Sequence, residues 1–299
     1  MPLRFPIVPM KASLGSLPPE SEDDRWAYEI KWDGYRTIAF VDDGRVRLQS
    51  TKGLDATQTY PEIGELPGSV NAPSAILDGE LVVLDPTGRA SFEMLQRHEV
   101  QATYYAFDVL QIDGRDTISL PYEQRRALVA DLVDPSPNWS VPAHRIGDGA
   151  ALLQATFERG LEGVMAKRLG STYAPGTRTP NWRKVKNRYR LEVQIGGFTP
   201  GSGNRTGTFG ALLVGIPQED GTLRFAGGVG TGFNHARLES MTKQLRALKI
   251  DHCPFSTIPP RSYTRGGVTW VQPTLTATIE LTELTNEGYV RQASFIELT

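Results

Sequence analysis

Tyr28-Glu29-Ile30-Lys31-Trp32-Asp33-Gly34-Tyr35-Arg36 is the stretch around which the rest of the chain organises. It reads as the end of a strand followed by an Asp-Gly turn. A lysine amine is protonated at neutral pH, because its free pKa is about 10.4. Using Lys31 as a nucleophile near pH 7 requires roughly 4 kcal/mol of destabilisation of the ammonium, which burial or a neighbouring cation supplies. Arg36 and a bound metal ion are the candidate positive charges, and Gly34 lets the backbone turn tightly beside a ligand. Taken alone, the hexapeptide from Lys31 to Arg36 fits a solvated lysine at a strand end equally well.

Three further clusters bear on that choice. Asp78-Gly79-Glu80 interrupts an apolar run, with Ile76-Leu77 before it and Leu81-Val82-Val83 after it. Asp78 and Glu80 project to one face of a strand. Two carboxylates there are costly unless paired or metal-bound, and oxygen ligands of this kind suit Mg²⁺ or Mn²⁺. An ion pair with arginines at the core edge is the other explanation. Glu162-Gly163-Val164-Met165-Ala166-Lys167 sets a carboxylate at the start of an apolar strand and a lysine at its end. Residues 178–190 hold six basic residues and no acidic one, with Lys184 and Lys186 on one strand face. Phosphate is the natural partner of such a patch, and a solvated charged strand is the alternative.

Around these clusters, strand patterns occupy residues 28–36, 37–49, 75–84, 104–110 and 162–168. Asp42-Asp43-Gly44-Arg45 marks a hairpin. Helices are predicted over 121–133 and over 148–159, the latter stopped by Gly160. Beyond about residue 190 short β-runs recur at 191–199, 210–216, 223–228, 269–272, 276–284 and 289–295. One helix, 234–248, falls among them, with Asn234 as its N-cap. The prediction is an α+β chain. Residues 1–188 form one domain of antiparallel sheets and helices, and residues 189–299 a small β-barrel such as an OB-fold.

The chain has 299 residues with 32 Lys and Arg against 34 Asp and Glu, a net charge of −2, so it is no basic coat for non-specific DNA binding. A single cysteine, Cys253, excludes an internal disulfide framework and multi-cysteine zinc sites. Mean hydropathy is −0.32, apolar runs are too short for a bilayer, and the Pro-rich N-terminus lacks the apolar core of an export signal. A cytoplasmic, soluble monomer is expected. There is no P-loop and no Gly-x-Ser-x-Gly elbow, and the four histidines show no metal-binding spacing.

In their order, the Lys-x-Asp-Gly-x-Arg, Asp-Gly-Glu, Glu-Gly-x-x-x-Lys and Lys-x-Lys elements resemble the covalent nucleotidyltransferases: ATP-dependent DNA ligases, RNA ligases and mRNA capping enzymes. The resemblance covers the whole chain. Tyr105-Ala106-Phe107-Asp108-Val109-Leu110, Tyr173-Ala174-Pro175-Gly176-Thr177-Arg178 and Val193-Gln194-Ile195-Gly196-Gly197 narrow it to the ligase domain of bacterial end-joining DNA ligases, here standing alone. The resemblance implies a nucleotidyltransferase (adenylation) domain followed by an OB-fold. It implies that Lys31 attacks the α-phosphate of ATP to give lysyl-AMP. AMP then passes to the 5′-phosphate of nicked or broken duplex DNA, and the 3′-hydroxyl displaces it in the course of DNA repair. Asp33 belongs to the same catalytic motif. Glu80 and Glu162 match the carboxylates that handle Mg²⁺ or Mn²⁺, and Glu80 also the ribose. Phe107 matches the aromatic that stacks on adenine, with Met165 nearby, and Glu29 matches a reader of the adenine amino group. Arg36 is expected near the ribose and DNA phosphate, Lys184 and Lys186 on the α-phosphate, and Lys167 and Arg178 facing phosphates.

Two departures stand out. Ser50-Thr51-Lys52-Gly53 lacks the arginine that relatives carry at the second position, and Lys52 replaces a bidentate fork with a point charge. The C-terminal end, Val290-Arg291-Gln292-Ala293-Ser294-Phe295, has neither Asp nor Lys where many ligases have Arg-x-Asp-Lys, leaving Arg291 as the candidate for orienting pyrophosphate. The two-domain pattern implies a hinge near residues 187–190 and a DNA-facing loop at 201–207. A partner that holds DNA ends, such as a bacterial Ku, or a polymerase, is expected to assist. The rival readings are an RNA ligase or capping-type nucleotidyltransferase, and a non-catalytic nucleic-acid-binding module.

Overall fold

In the computed structural model, which describes residues 4–285 and 287–299, the chain divides into two compact units, Met1–Asn187 and Arg188–Thr299. The first is built on two sheets. One contains β1 (Lys11–Leu14), β2 (Trp26–Ile30), β9 (His144–Ile146), β10 (Gly163–Arg168) and β11 (Arg178–Lys186), in the order β1-β11-β10-β2-β9. The other contains β3 (Tyr35–Asp42), β4 (Arg45–Ser50), β5 (Ser74–Val82), β6 (Thr103–Ile112), β7 (Arg115–Asp116) and β8 (Trp139–Ser140), in the order β4-β3-β5-β6-β7 with β8 beside β6. The β3–β4 hairpin turns at Asp43 and Gly44, both with positive φ, as the Asp-Gly signal requires.

Alternation along the strands assigns each face. On β2, Trp26 and Tyr28 join Val164, Ala166 and Val185 in a cluster covered by Leu152 and Leu153 of the helix α3 (Gly149–Glu158). Ala27 points the other way, into a cluster shared with Ile38, Ile76 and Leu110 of the second sheet and with Trp182. The opposite face of that second sheet packs Ala39, Val41, Leu77 and Leu81 under Tyr60, Ile63 and Leu66, with Leu95 of α1 (Phe92–Arg97) and Val129 of α2 (Tyr122–Leu132). The two sheets therefore face each other, each with an outer cover, and the residues of the inter-sheet face recur at period two.

The second unit contains β12 (Tyr189–Pro200), β13 (Phe209–Pro217), β14 (Leu223–Val229), α4 (His235–Ala247), β15 (Lys249–Ile250), α5 (Arg261–Thr264), β16 (Thr269–Val271), β17 (Thr276–Leu281), a ribbon of β18 (Glu283–Leu284) with β19 (Val290–Arg291), and β20 (Ser294–Leu298). β12 pairs with β13 and β17, β13 with β14, and β17 with β20. A parallel bridge, Thr231 to Ser294, brings the β14 and β20 edges together. This is OB-type connectivity, but among the described residues the sheet stays open except at that bridge, so the expected barrel is not fully closed. The Asn234 side chain accepts from Arg237 N at 2.8 Å and caps α4. The predicted strand at 289–295 is split, because Gln292 adopts a left-handed conformation between β19 and β20. At 201–207, Arg205 turns inward, donating to Gly210 O at 2.9 Å and Gly230 O at 2.8 Å, so its guanidinium serves the loop's own structure.

Candidate active site

The first unit holds a cavity of about 430 Å³ on the inter-sheet face. Lys31, Trp32, Arg36, Glu29, Glu80, Phe107, Met165, Lys167, Arg178, Trp182 and Lys184 all contribute to its walls. Period-two alternation delivers most of them: Glu29 from β2, Met165 and Lys167 from β10, Trp182 and Lys184 from β11, Arg36 from β3 and Glu80 from β5. The hexapeptide read as a strand end is in fact the crossing from one sheet to the other. β2 ends at Ile30 and β3 starts at Tyr35. Lys31 N donates to Gly163 O at 2.9 Å, anchoring the crossing to β10. A Cβ on Gly34 would stand 2.1 Å from Leu81 O, so no other residue lets the crossing pass this close to β5.

The Lys31 ammonium is ion-paired to Glu162 Oε2, and Lys186 Nζ reaches Glu162 Oε1 at 2.9 Å. Glu162 thus bridges two lysines. Although burial opposes it, their charges hold its carboxyl below the usual range. Lys184 is pushed down by burial and then by the positive charges of Lys31 and Arg36. Glu80 has no hydrogen-bond or ion-pair partner among the described residues. Burial raises it to about 7, outweighing the pull of Arg36 and Lys31.

Asp78 and Glu80 do share a face, but the metal-pair expectation for them does not hold. Asp78, 0% exposed, is taken by Arg36 in a two-point contact, Nε to Oδ1 at 2.9 Å and Nη2 to Oδ2 at 2.6 Å. Tyr173 OH adds a third bond to Asp78 Oδ2 at 2.6 Å. Arg36 is also held 5.5 Å from the Phe107 and Trp182 ring centroids. Gly79 between the two acids lies under the Tyr104 ring, where a Cβ would be 2.4 Å from Cζ. Among the described residues no group of three or more His, Cys, Asp or Glu gathers as a resident metal site does.

Lys167 is likewise revised. Its ammonium, on a side chain 1% exposed, donates to Glu29 Oε2 at 2.7 Å and lies 4.3 Å from the Phe107 centroid and 4.5 Å from that of Trp182. Engaged this way, it is no free phosphate cation. Glu29 Oε1 accepts from Tyr122 OH, and Arg126 Nε stands 3.6 Å away. The carboxylate is fixed at both oxygens. Asp33 is exposed in the crossing and does not line the cavity. Arg291 belongs to the second unit, where it is exposed and pairs with Glu283 at 2.7 Å. Thr51 and Lys52 both line the cavity, as do Lys11 and Pro142, which sequence reading missed. Tyr122, Tyr173 and Trp182 were missed too. Tyr122 and Trp182 gave no signal beyond an aromatic in a helix or strand, which is more often core, and Tyr173 stood in the Tyr173–Arg178 stretch without a role assigned to it.

Residues 9–186 match the ATP dependent DNA ligase domain, and residues 205–299 match the ATP dependent DNA ligase C terminal region. The chain belongs to the ATP-dependent DNA ligases. A multifunctional non-homologous end joining DNA repair protein LigD of Mycobacterium tuberculosis is 39% identical over 291 residues, which are 97% of this chain and 38% of that protein. A probable DNA ligase of Streptomyces griseus is 32% identical over 268 residues, 82% of this chain and 52% of the relative. The crystal structure of the M. tuberculosis LigD ligase domain, 37% identical, covers 98% of this chain and 95% of its own with a TM-score of 0.58. A mycobacterial DNA ligase D complexed with ATP and MES matches with a TM-score of 0.57 at the same identity. This ligase chain therefore spans well under half the length of its mycobacterial relatives. No helix among its described residues is long and apolar enough to cross a membrane.

Proposed function

We propose that the chain seals 5′-phosphate/3′-hydroxyl breaks in duplex DNA with ATP, through a lysyl-AMP at Lys31 and a DNA-adenylate, in DNA repair. The observation that carries this reading is the position of Lys31 at the crossing between the sheets, in one cavity with an aromatic, two carboxylates and further cations. The Lys31 ammonium gives one proton to solvent water, and the lone pair of the resulting amine attacks the α-phosphorus. An N–P bond forms, the bond to the pyrophosphate oxygen breaks, and pyrophosphate leaves with the electron pair. Glu162 keeps the amine oriented, and Lys184 and Lys186 offset the charge that builds on the non-bridging oxygens. Phe107 and Met165 offer the faces between which a base would lie, and Glu29, backed by Tyr122 and Lys167, offers an acceptor to its edge. Arg36, immobilised by Asp78, presents a fixed cation to sugar or phosphate.

An unpartnered carboxylate in a cleft with room for phosphates suits Mg²⁺ or Mn²⁺, which is held by one or two carboxylates plus substrate oxygens and keeps its remaining waters. Glu80 fits that role, and Glu162 could contribute only by loosening its hold on the lysines. The ion would offset phosphate charge during each transfer.

Residues 1–188 would then act as the adenylation domain and 189–299 as the OB-fold domain. Partners that hold DNA ends, Ku-like or polymerase, belong to the same proposal, and the end-joining role in the relative's name supports them. Intact-mass analysis with ATP or GTP and a divalent ion tests the chemistry. The expected result is one AMP added with ATP, none in Lys31→Ala, and transfer to a nicked duplex. No adduct, after bound AMP has been stripped with pyrophosphate, overturns the reading.

A further inference from the structure

The cavity also gathers cations that no carboxylate holds in an ion pair among the described residues. Lys11, Lys52, Arg178 and Lys184 all line it, and none has an ion-pair partner among the described residues. Lys184 is already placed beside Lys31. Lys11 and Lys52 take no part in the chemistry above, Arg178 carries the expectation of facing phosphate, and all three are exposed.

They arrive from two different sheets. Lys11 and Arg178 are register partners on the parallel pair β1–β11, so their side chains leave that sheet side by side. Arg178 Nη1 donates to Ala12 O at 2.6 Å, which ties its guanidinium onto β1 next to Lys11. β1 is the edge strand of its sheet. Lys52 follows β4, the edge strand of the opposite sheet, and Thr51 beside it adds a hydroxyl but no charge. An isolated surface lysine means nothing by itself. Two sheet edges presenting cations to one concavity, none of them held in an ion pair among the described residues, form an electrostatic trap for an anion of matching width.

We propose that Lys11 and Lys52 are the two jaws of a phosphate clasp at the mouth of this cavity, completed by Arg178. The proposal rests on the nucleotidyl-transfer reading of the same cavity. Its ligand is a phosphate group, either the outer phosphates of the triphosphate or the terminal 5′-phosphate of a nicked duplex. With Thr51 uncharged, the two lysines divide between opposite lips a load that a single guanidinium could carry from one side.

Lys11→Met, Lys52→Met and the double variant test this, with unmodified protein alongside. Self-adenylation is measured over a range of ATP concentrations. Binding of nicked duplexes with a 5′-phosphate or a 5′-hydroxyl is measured at several salt concentrations. Each lysine lost should weaken the phosphate ligand about three- to tenfold and lower the salt slope by about one. A loss confined to the 5′-phosphorylated nick assigns the DNA end, whereas a raised KM for ATP at unchanged kcat assigns the triphosphate. A double variant that folds and matches the unmodified protein in both arms overturns the clasp. If the unmodified protein itself forms no adenylate and binds no nick, the ligase reading falls and the clasp with it.

Discussion

Glu80 is the group whose titration best separates folding from function. In the unfolded chain its carboxyl titrates near its ordinary 4.5, and in the folded protein burial raises it to about 7. Between those values the native state holds a proton that the unfolded state has released, so stability falls as pH rises through the window. The full interval corresponds to about 3 kcal/mol, and the side chain's partial opening to the cleft reduces it to about 2 kcal/mol. Replacing Glu80 with Gln removes that loss while keeping the shape. Urea unfolding of the unliganded protein should give equal stabilities for both forms at about pH 4, below the ordinary 4.5 around which the unfolded carboxyl loses its proton. At pH 8.5 the variant should be more stable by about 2 kcal/mol, and adenylation should fall at least a hundredfold. A stability difference that stays flat across this range would refute the reasoning, since the carboxylate would then be solvated or paired in the folded state.

Gly34→Ala should be nearly inactive, with a stability loss of only about 1–3 kcal/mol, because the added methyl meets Leu81 O at 2.1 Å and displaces the crossing that carries Lys31. Adenylation rate against thermal midpoint checks it. Tyr122→Phe removes one of the donors that fix Glu29, and should raise the KM for ATP several-fold while leaving kcat within about twofold, at a stability cost of about 1–3 kcal/mol. Steady-state adenylation kinetics read that split. Asn234→Ala should destabilise the protein by about 1 kcal/mol through loss of the α4 cap, without changing Lys31 adenylation.

Much of the fold was legible because local signals were strong. The Asp43-Gly44 turn and the Gly160 stop each take a backbone conformation that few other residues adopt, the Asn234 cap supplies a side-chain acceptor to Arg237 N, and all three elements lie where they were expected. Others were invisible for equally physical reasons. β1 is four residues long and pairs with β11, more than 160 positions away, so its strand character exists only in the folded sheet. The crossing at Lys31–Gly34 looked continuous with its flanking strands because both have β patterns, and nothing local says that they belong to different sheets.

The site divides along the same line. Residues that the proposed reaction would need to be of one chemical type, such as Lys31, Glu80, Glu162 and Lys184, announce themselves by type and spacing. Residues that hold them do not, because burial decides their role. Asp78 and Glu80 are two positions apart on one strand face and identical in charge, yet one is locked to Arg36 and Tyr173 while the other stands unpartnered toward the cleft. Lys167 and Lys184 both read as phosphate cations, yet one ends in an aromatic cage against a carboxylate and the other beside like charges. Charge type selects what a residue can do, and the nearest opposite charge decides whether it remains available to a substrate. Asp78 and Glu29 each hold a cation inside the fold, so in the proposed reading the charge that a phosphate would meet comes from Lys184 and the rim lysines, alongside the Arg36 guanidinium that Asp78 fixes in place.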